Sequence, residues 1–334
     1  MSVNNDPFIQ KLIFSKNIIN EDFDFKETKS KNIPLFKFGY HYYLNQKREK
    51  MDLDEFKKRK FYLIVNRFEN VVPEYDDNLN NLLEKNFKKK IINRDFYKMW
   101  ELICYFNIID EKSEKFLCVS ENGGFLQSIM NFRSKYYNST NDSYFYHNSK
   151  DEKSIKKIDE FKFIRKEDSP LEIFDTSNYF TNIKNIDSFI KKYKLKDINL
   201  ITSNGIINSN DLEVRMYELL IGQIILALSV SSKGGSFIFK FDDCFTNITF
   251  KLFNILFNCY SEVYIVKPLF SRSFSNEKYL VCKNLNIQDK KKLDLVSKLK
   301  MLLSGLNSRK EIHINDIITN YEFADVDIDK ICGI

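Results

Sequence analysis

Glycine and proline are scarce in this chain, 9 and 5 among 334 residues, while Asn, Lys, Ile and Phe abound. That skew suggests AT-rich coding, so the numbers of Asn and Lys carry no chemical argument by themselves. The six cysteines (Cys104, Cys118, Cys244, Cys259, Cys282 and Cys332) form no CxxC pair and lie in apolar stretches. They are expected to be reduced core residues of an intracellular protein, not a disulfide framework. None lies near His41, His147 or His313, which argues against zinc, and no metal is expected. Long hydrophobic runs are missing too. The longest, Leu219 to Val230, is broken by Gly222 and Gln223 and is too short to span a bilayer. Met1 is followed by polar residues and Asp6-Pro7, so no signal peptide is expected. A soluble cytoplasmic or nuclear protein without a membrane partner follows.

The chain has ample material for a core, with 43% hydrophobic residues and 31 Phe. Its net charge of +6 fits either a solvated lysine surface or a polyanionic partner, and does not choose between them.

The stretch from Asp197 to Lys283 alternates short apolar runs with longer amphipathic segments. A strand at Ile198–Ser203 stops at Asn204-Gly205, and a helix is expected over roughly 212–231. Lys233-Gly234-Gly235 should then turn the chain into a strand at Ser236–Phe241. A helix from Phe245 to Cys259 leads to strands at Glu262–Lys267 and Lys278–Lys283. Such alternation reads as a three-layer α/β unit. In open parallel sheets the chemistry lies just past the carboxyl ends of the strands. Asn204, Lys240 and Glu277 all fall on that rim.

Upstream, Glu84 to Lys98 carries six basic residues (Lys85, Lys88, Lys89, Lys90, Arg94 and Lys98) against Glu84 and Asp95. Interleaved Phe87, Ile91, Ile92, Phe96, Met99 and Trp100 give it the pattern of a basic amphipathic helix. Glu114 to Met130 reads as strand, glycine-rich turn and helix, the outline of a nucleotide-like cofactor site. Gly123 and Gly124 would let backbone approach a ligand, and the helix start would offer free N–H groups. Strand candidates also lie at Leu35–Leu44 and Phe61–Val65, with a helix candidate at Leu79–Phe87. The cluster Tyr40, Tyr42 and Tyr43 could stack on a base or pack on the main domain. Residues 133–170 read as one strand, at Tyr144–Tyr146, and a long polar loop. Gln288 to Leu303 reads as an amphipathic helix.

Three segments together carry a family resemblance: Ile201-Thr-Ser-Asn-Gly205, Lys233-Gly-Gly-Ser-Phe-Ile-Phe-Lys240, and Lys267-Pro-Leu-Phe-Ser-Arg-Ser-Phe-Ser-Asn-Glu277-Lys-Tyr-Leu-Val281. In this order they resemble the FtsJ-like RNA 2′-O-methyltransferases, and within them the cap-specific mRNA enzymes of eukaryotes and large DNA viruses. The resemblance spans about Arg94 to Lys283.

It implies an α/β, Rossmann-like fold dependent on S-adenosylmethionine. The expected sheet is seven-stranded and mostly parallel with helices on both faces, and the Glu262–Lys267 and Lys278–Lys283 strands form an antiparallel edge. The methyltransferase domain would occupy 91–285, between an N-terminal extension (1–90) and a helical C-terminal one (286–334). The family's Lys-Asp-Lys-Glu tetrad maps to Lys98, Asn204, Lys240 and Glu277, with asparagine in the aspartate's place. Its central lysine, here Lys240, takes or orients the 2′-hydroxyl proton, its pKa lowered by crowded charge.

The cofactor turn maps to Ser120, Asn122, Gly123, Gly124 and Phe125. Ser120 stands for a usual acid and Asn122 for a usual proline. Asp175 is the candidate for the adenine edge, or a turn cap. RNA would cross Lys88, Lys89, Lys90, Arg94, Arg272 and Asn276. Two readings remain open: a ribose methyltransferase acting at the capped 5′ end of mRNA, or a degenerate methyltransferase fold. The second would bind RNA or serve as a subunit of a capping or transcription apparatus.

Overall fold

In a computed structural model the described residues are 9–14, 18–21, 23–24, 26–28, 91, 93–137, 141–147, 171–174, 180–205, 212–242, 244, 246–271, 275–308 and 313–318. The candidates at 35–44, 61–65 and 79–87, the tyrosines 40, 42 and 43, and Cys332 lie outside them.

Strands with buried flanks follow one another with helices between. In chain order the elements are β1 (Ile9–Lys11), β2 (Lys26–Thr28), α1 (Asp95–Phe106), β3 (Lys115–Val119), α2 (Gly124–Tyr136), β4 (Ser143–His147) and β5 (Leu171–Phe174). Then come α3 (Ile183–Lys192), β6 (Ile198–Ser203), α4 (Leu212–Val230), β7 (Ser231–Phe241), α5 (Asn247–Cys259), β8 (Tyr260–Val266), β9 (Lys278–Leu285), α6 (Asp289–Ser308) and β10 (His313–Asp316).

The main sheet has the order β1-β8-β9-β7-β6-β3-β4-β5. From β5 through β7 the strands are parallel, and β9 runs antiparallel to both β7 and β8. The seven expected strands are all there. An eighth, β1, pairs antiparallel with β8 (Ile9 opposite Val266), so β8 is not the edge. A three-residue strand gives too short a pattern to be read from sequence. A separate ribbon, β2 with β10, joins the N- and C-terminal segments. Buried Lys251 on α5 donates to Asp316 at 2.6 Å and to the Ile318 carbonyl, which ties that ribbon to the core.

The central parallel strands read as apolar runs because helices cover both faces. α1 and α2 pack on one face, where Ile238, Tyr279 and Val281 point. α3, α4, α5 and α6 cover the other, where Phe237, Phe239 and Leu280 point. α4 is apolar nearly all round because it lies between the sheet and α6.

Two expectations need correcting. Lys233-Gly234-Gly235 does not turn the chain but lies within β7. Gly234 takes φ 80°, and the register slips between the Ile198–Ser231 and Leu200–Ser236 pairs, so this is a bulge. Of the cysteines, Cys118, Cys259 and Cys282 are buried, but Cys104 is exposed, on the outer side of an amphipathic helix.

Gly222 on α4 passes directly against the segment entering α3: a Cβ there would stand 1.7 Å from the Phe180 carbonyl oxygen. Gly→Ala ordinarily favours a helix by about 1 kcal/mol. Here Gly222→Ala is expected to lower stability by about 2 kcal/mol or more through overpacking, read as a lower urea midpoint at unchanged slope. A higher midpoint would contradict this packing.

Candidate active site

Strand register sets out the rim. Val119, Ser203 and Phe239 lie side by side on β3, β6 and β7. One residue further on stand Ser120, Asn204 and Lys240, with Tyr279 of β9 opposite Lys240. Side chains alternate along a strand, so Lys240 shares a face with Ile238, the face covered by α1. Tyr279 shares it too, and so does Glu277, two residues earlier.

The first turn of α1 meets them there. Lys98 Nζ lies 2.5 Å from Glu277 Oε1, and Lys240 Nζ lies 2.8 Å from Glu277 Oε2. Ser271 Oγ and Tyr279 OH also donate to Glu277 Oε1, each at 3.1 Å. Burial alone would raise the Glu277 carboxyl, but Lys98 and then Lys240 pull it down to about 2. Lys98, the first lysine of the set, is held by two carboxylates. Its burial acts downward, yet Asp95 and Glu277 outweigh it and hold the ammonium above its ordinary value.

Asp95 did not stand out in the sequence, where it counted only as charge. Its Oδ1 accepts from Lys98 Nζ at 2.9 Å and its Oδ2 from Asn204 Nδ2 at 3.0 Å. Its own N–H donates to Asn93 Oδ1 at 3.0 Å, and Asn93 Nδ2 donates to the Asn122 carbonyl at 3.0 Å. Asn93 therefore clasps the start of α1 to the turn after β3. Gly124 makes that approach feasible, since a Cβ there would stand 2.2 Å from Asn93 Oδ1 and 2.9 Å from Asp95 Cβ. The contact that this bare backbone admits is internal.

A second missed residue is Glu121, 2% exposed, which accepts from the N–H groups of Phe125 (2.9 Å) and Leu126 (3.0 Å). The expectation of free N–H groups at this helix start is corrected: a side chain of the turn has taken two of them. Burial pushes the Glu121 carboxyl up to about 8, against the downward pull of those two bonds. Lys267, at the end of β8, is the third. Burial brings its amine down to about 8, against the upward pull of Glu277, while Lys278 and Lys98 add to the lowering.

Of the cofactor candidates, Ser120 sits in the left-handed region (φ 55°) and is buried, a strained backbone of the kind found at functional sites. Gly123 precedes α2 at φ 87°, and the Phe125 ring lies in the core, 5.8 Å from Tyr279. Between the ends of β3 and β6, Ser203 Oγ, Asn204 Oδ1 and both polar atoms of Gln223 are buried with no hydrogen-bond partner among the described residues. Gln223 Nε2 reaches within 3.2 Å of where a Gly205 Cβ would stand, beside Ser120. Orphaned donors and acceptors there fit a polar ligand such as S-adenosylmethionine. Asp175 lies outside the described residues.

A cavity of about 480 Å³ opens beside the lysines, lined by Arg94, Asp95, Lys98, Asn122, Phe270 and Glu277 among others. Of the tetrad positions Lys98 and Glu277 line it, and of the expected cofactor turn Asn122 does. Of the RNA candidates, Arg94 lines this cavity and Asn276 is exposed next to Glu277. Lys88, Lys89, Lys90 and Arg272 lie outside the described residues. Among the described residues no group of His, Cys, Asp or Glu could hold a metal ion.

A parallel α/β sheet with an antiparallel β9 inserted beside β7, and charged residues gathered on its carboxyl rim, defines a Rossmann-like methyltransferase. The chain belongs to the FtsJ-like methyltransferase family, which it matches over residues 91–285. It is 40% identical over 75 residues to "Cap-specific mRNA (nucleoside-2′-O-)-methyltransferase 1" of Bos taurus, 22% of this chain and 9% of that protein. The Drosophila melanogaster protein of the same name is 26% identical over 150 residues, 44% of this chain and 18% of that one. The chain thus spans less than a fifth of the length of these relatives. A solved structure, human methyltransferase-like protein 13 in complex with SAH, matches with TM-score 0.36 at 12% identity, covering 63% of this chain and 89% of that one.

Glu277→Gln leaves Lys98 with Asp95 alone and takes from Lys240 the carboxylate it bridges, and is expected to cost about 3 kcal/mol in denaturant unfolding. Glu277 has a depressed folded pKa, so its contribution is present above the ordinary carboxyl value and is lost as pH falls towards about 2. The variant should therefore lose less stability than wild type on acidification through that window. Glu121 has the opposite sign: its folded pKa is raised to about 8, so its contribution is lost as pH rises through the window ending there. Thermal unfolding of Glu121→Gln between pH 5 and 8 should be flatter than wild type. An unchanged slope would mean that this carboxylate stays ionised.

Proposed function

We propose that this chain transfers a methyl group from S-adenosylmethionine to a ribose 2′-hydroxyl of RNA, at or near the capped 5′ end of mRNA. The observation carrying this reading is the Lys98–Glu277–Lys240 bridge on the carboxyl rim, beside the turn at Ser120–Gly124. A 2′-hydroxyl is a poor nucleophile and needs a positioned base or a polarising environment. The cofactor, when bound, supplies an electrophilic methyl group on its sulfonium. Lys240 takes or orients the proton leaving the hydroxyl oxygen as that oxygen bonds the methyl carbon. Glu277 bridges Lys240 and Lys98 and is itself fixed by Ser271 and Tyr279. Ser203, Asn204 and Gln223 hold the polar groups of the cofactor. Arg94, Asn276 and the basic Lys88, Lys89, Lys90 and Arg272 track the RNA backbone.

A second reading, an RNA-binding or scaffolding subunit of a capping apparatus without turnover, is favoured by Glu121, which occupies two N–H groups that a cofactor could have used.

The test is transfer of labelled methyl from S-adenosylmethionine to capped RNA with unmethylated ribose, wild type beside Lys240→Ala. Wild type should label the RNA, and the variant should lose about 100-fold or more in rate. A wild type that binds capped RNA but transfers no label would establish the second reading.

A further inference from the structure

We propose that Asp95 is the positioning carboxylate of the lysine pair, the negative charge having moved from the end of β6 to the first turn of α1, with Asn204 as its hydrogen-bond partner. This rests on the methyltransferase reading. By the family resemblance, position 204 is where an aspartate belongs. Asparagine there lacks the charge but points its Nδ2 at Asp95 Oδ2, 3.0 Å away, while Asp95 Oδ1 takes Lys98 Nζ at 2.9 Å. A carboxylate only accepts, so its presence also decides which way the Asn204 amide faces.

The arrangement balances. Lys98 and Lys240 bring two positive charges into side-chain environments 9% and 12% exposed, and Glu277 brings one negative charge at 9%. Asp95, at 19%, supplies the second. Asp and Asn are nearly isosteric, so a carboxylate facing an amide keeps the same hydrogen bond and net charge whichever side carries which. Asp95 touches Lys98 and Asn204, not the reacting atoms, and acts through the ammonium that it orients.

A structural alternative is that Asp95 only favours the α1 dipole from its first turn. That role needs the charge at 95 and cannot be rescued from 204. Four proteins separate the two: wild type, Asp95→Asn, Asn204→Asp, and the double exchange. Methyl transfer to capped RNA is measured as kcat and KM over a pH range. In parallel the Lys98 Nζ titration is followed by NMR in lysine-labelled protein, which needs no turnover.

Asp95→Asn should lower kcat about tenfold or more, with the KM for RNA changed less than about threefold. Asn204→Asp should also lose rate, because two carboxylates then face each other across 3.0 Å. The double exchange should recover most of the rate and the wild-type pH profile. In the NMR experiment, Asp95→Asn should move the Lys98 titration to lower pH, and the exchange should move it back. A double exchange no better than Asp95→Asn, or an Asp95→Asn protein with wild-type kcat, would overturn the proposal. If wild type itself transfers no methyl group, the methyltransferase reading fails. The NMR arm then decides for Asp95: a Lys98 titration that does not move refutes its role, and one that moves and is rescued supports it.

Discussion

Glu277 holds the site together, and much of the surrounding architecture can be traced to its two oxygens. It precedes β9, yet it accepts from Lys98 on α1, Lys240 on β7, Ser271 on the connecting loop and Tyr279 on its own strand. Two ammonium groups brought this far out of water are costly unless the carboxylate between them has its lone pairs satisfied. The antiparallel insertion of β9 beside β7 is what makes this possible. It places Tyr279 opposite Lys240 and so brings Glu277 back over the end of β7, which a parallel strand of the same sequence would not do. The start of α1 is in turn held down by Lys98 and by the Asn93 clasp on the turn after β3.

Charge around this centre is regulated by neighbours drawn from several elements. Lys98 stays firmly protonated because two carboxylates face it, whereas Lys267, less well paired at the end of β8, is brought down to about 8. Glu121 is pushed the other way, and Asp95 contributes to that push across the gap between the α1 and α2 starts. Acids and bases with separated pKa values gathered on one rim are the usual mark of a reactive surface.

The fold was legible where the chain is buried on both sides. β3, β6 and β7 declare themselves as apolar runs, and α4 as a long apolar segment, because each is enclosed by other elements. β1 was not legible: its three residues are ordered by β8, a partner more than 250 positions away. The bulge at Lys233–Gly235 reads as a turn because glycines that break a strand and glycines that bend one look alike in sequence. Lys240 and Glu277 could be picked out because they end and precede strong strands. Asp95 could not, because only folding brings it to Asn204, 109 positions later. Nor could Glu121, since a turn written Glu-Asn-Gly-Gly suggests an open cradle until the carboxylate is seen to fill it.

That filled cradle constrains how a cofactor can be held. A helix start is a natural anion site because its N–H groups are unsatisfied. At α2 the donors of Phe125 and Leu126 are already engaged. An incoming carboxylate would have to displace Glu121 or find donors elsewhere. Ser203 Oγ, Asn204 Oδ1 and both polar atoms of Gln223, buried and still without partners among the described residues, lie at the end of β6 and on α4. A ligand gripped chiefly from β6 and α4, with the β3 turn closed by its own glutamate, satisfies both facts. It would also sit against Asn204, whose oxygen is buried without a partner among the described residues while its amide nitrogen holds Asp95. One side chain would then couple that ligand to the lysine pair.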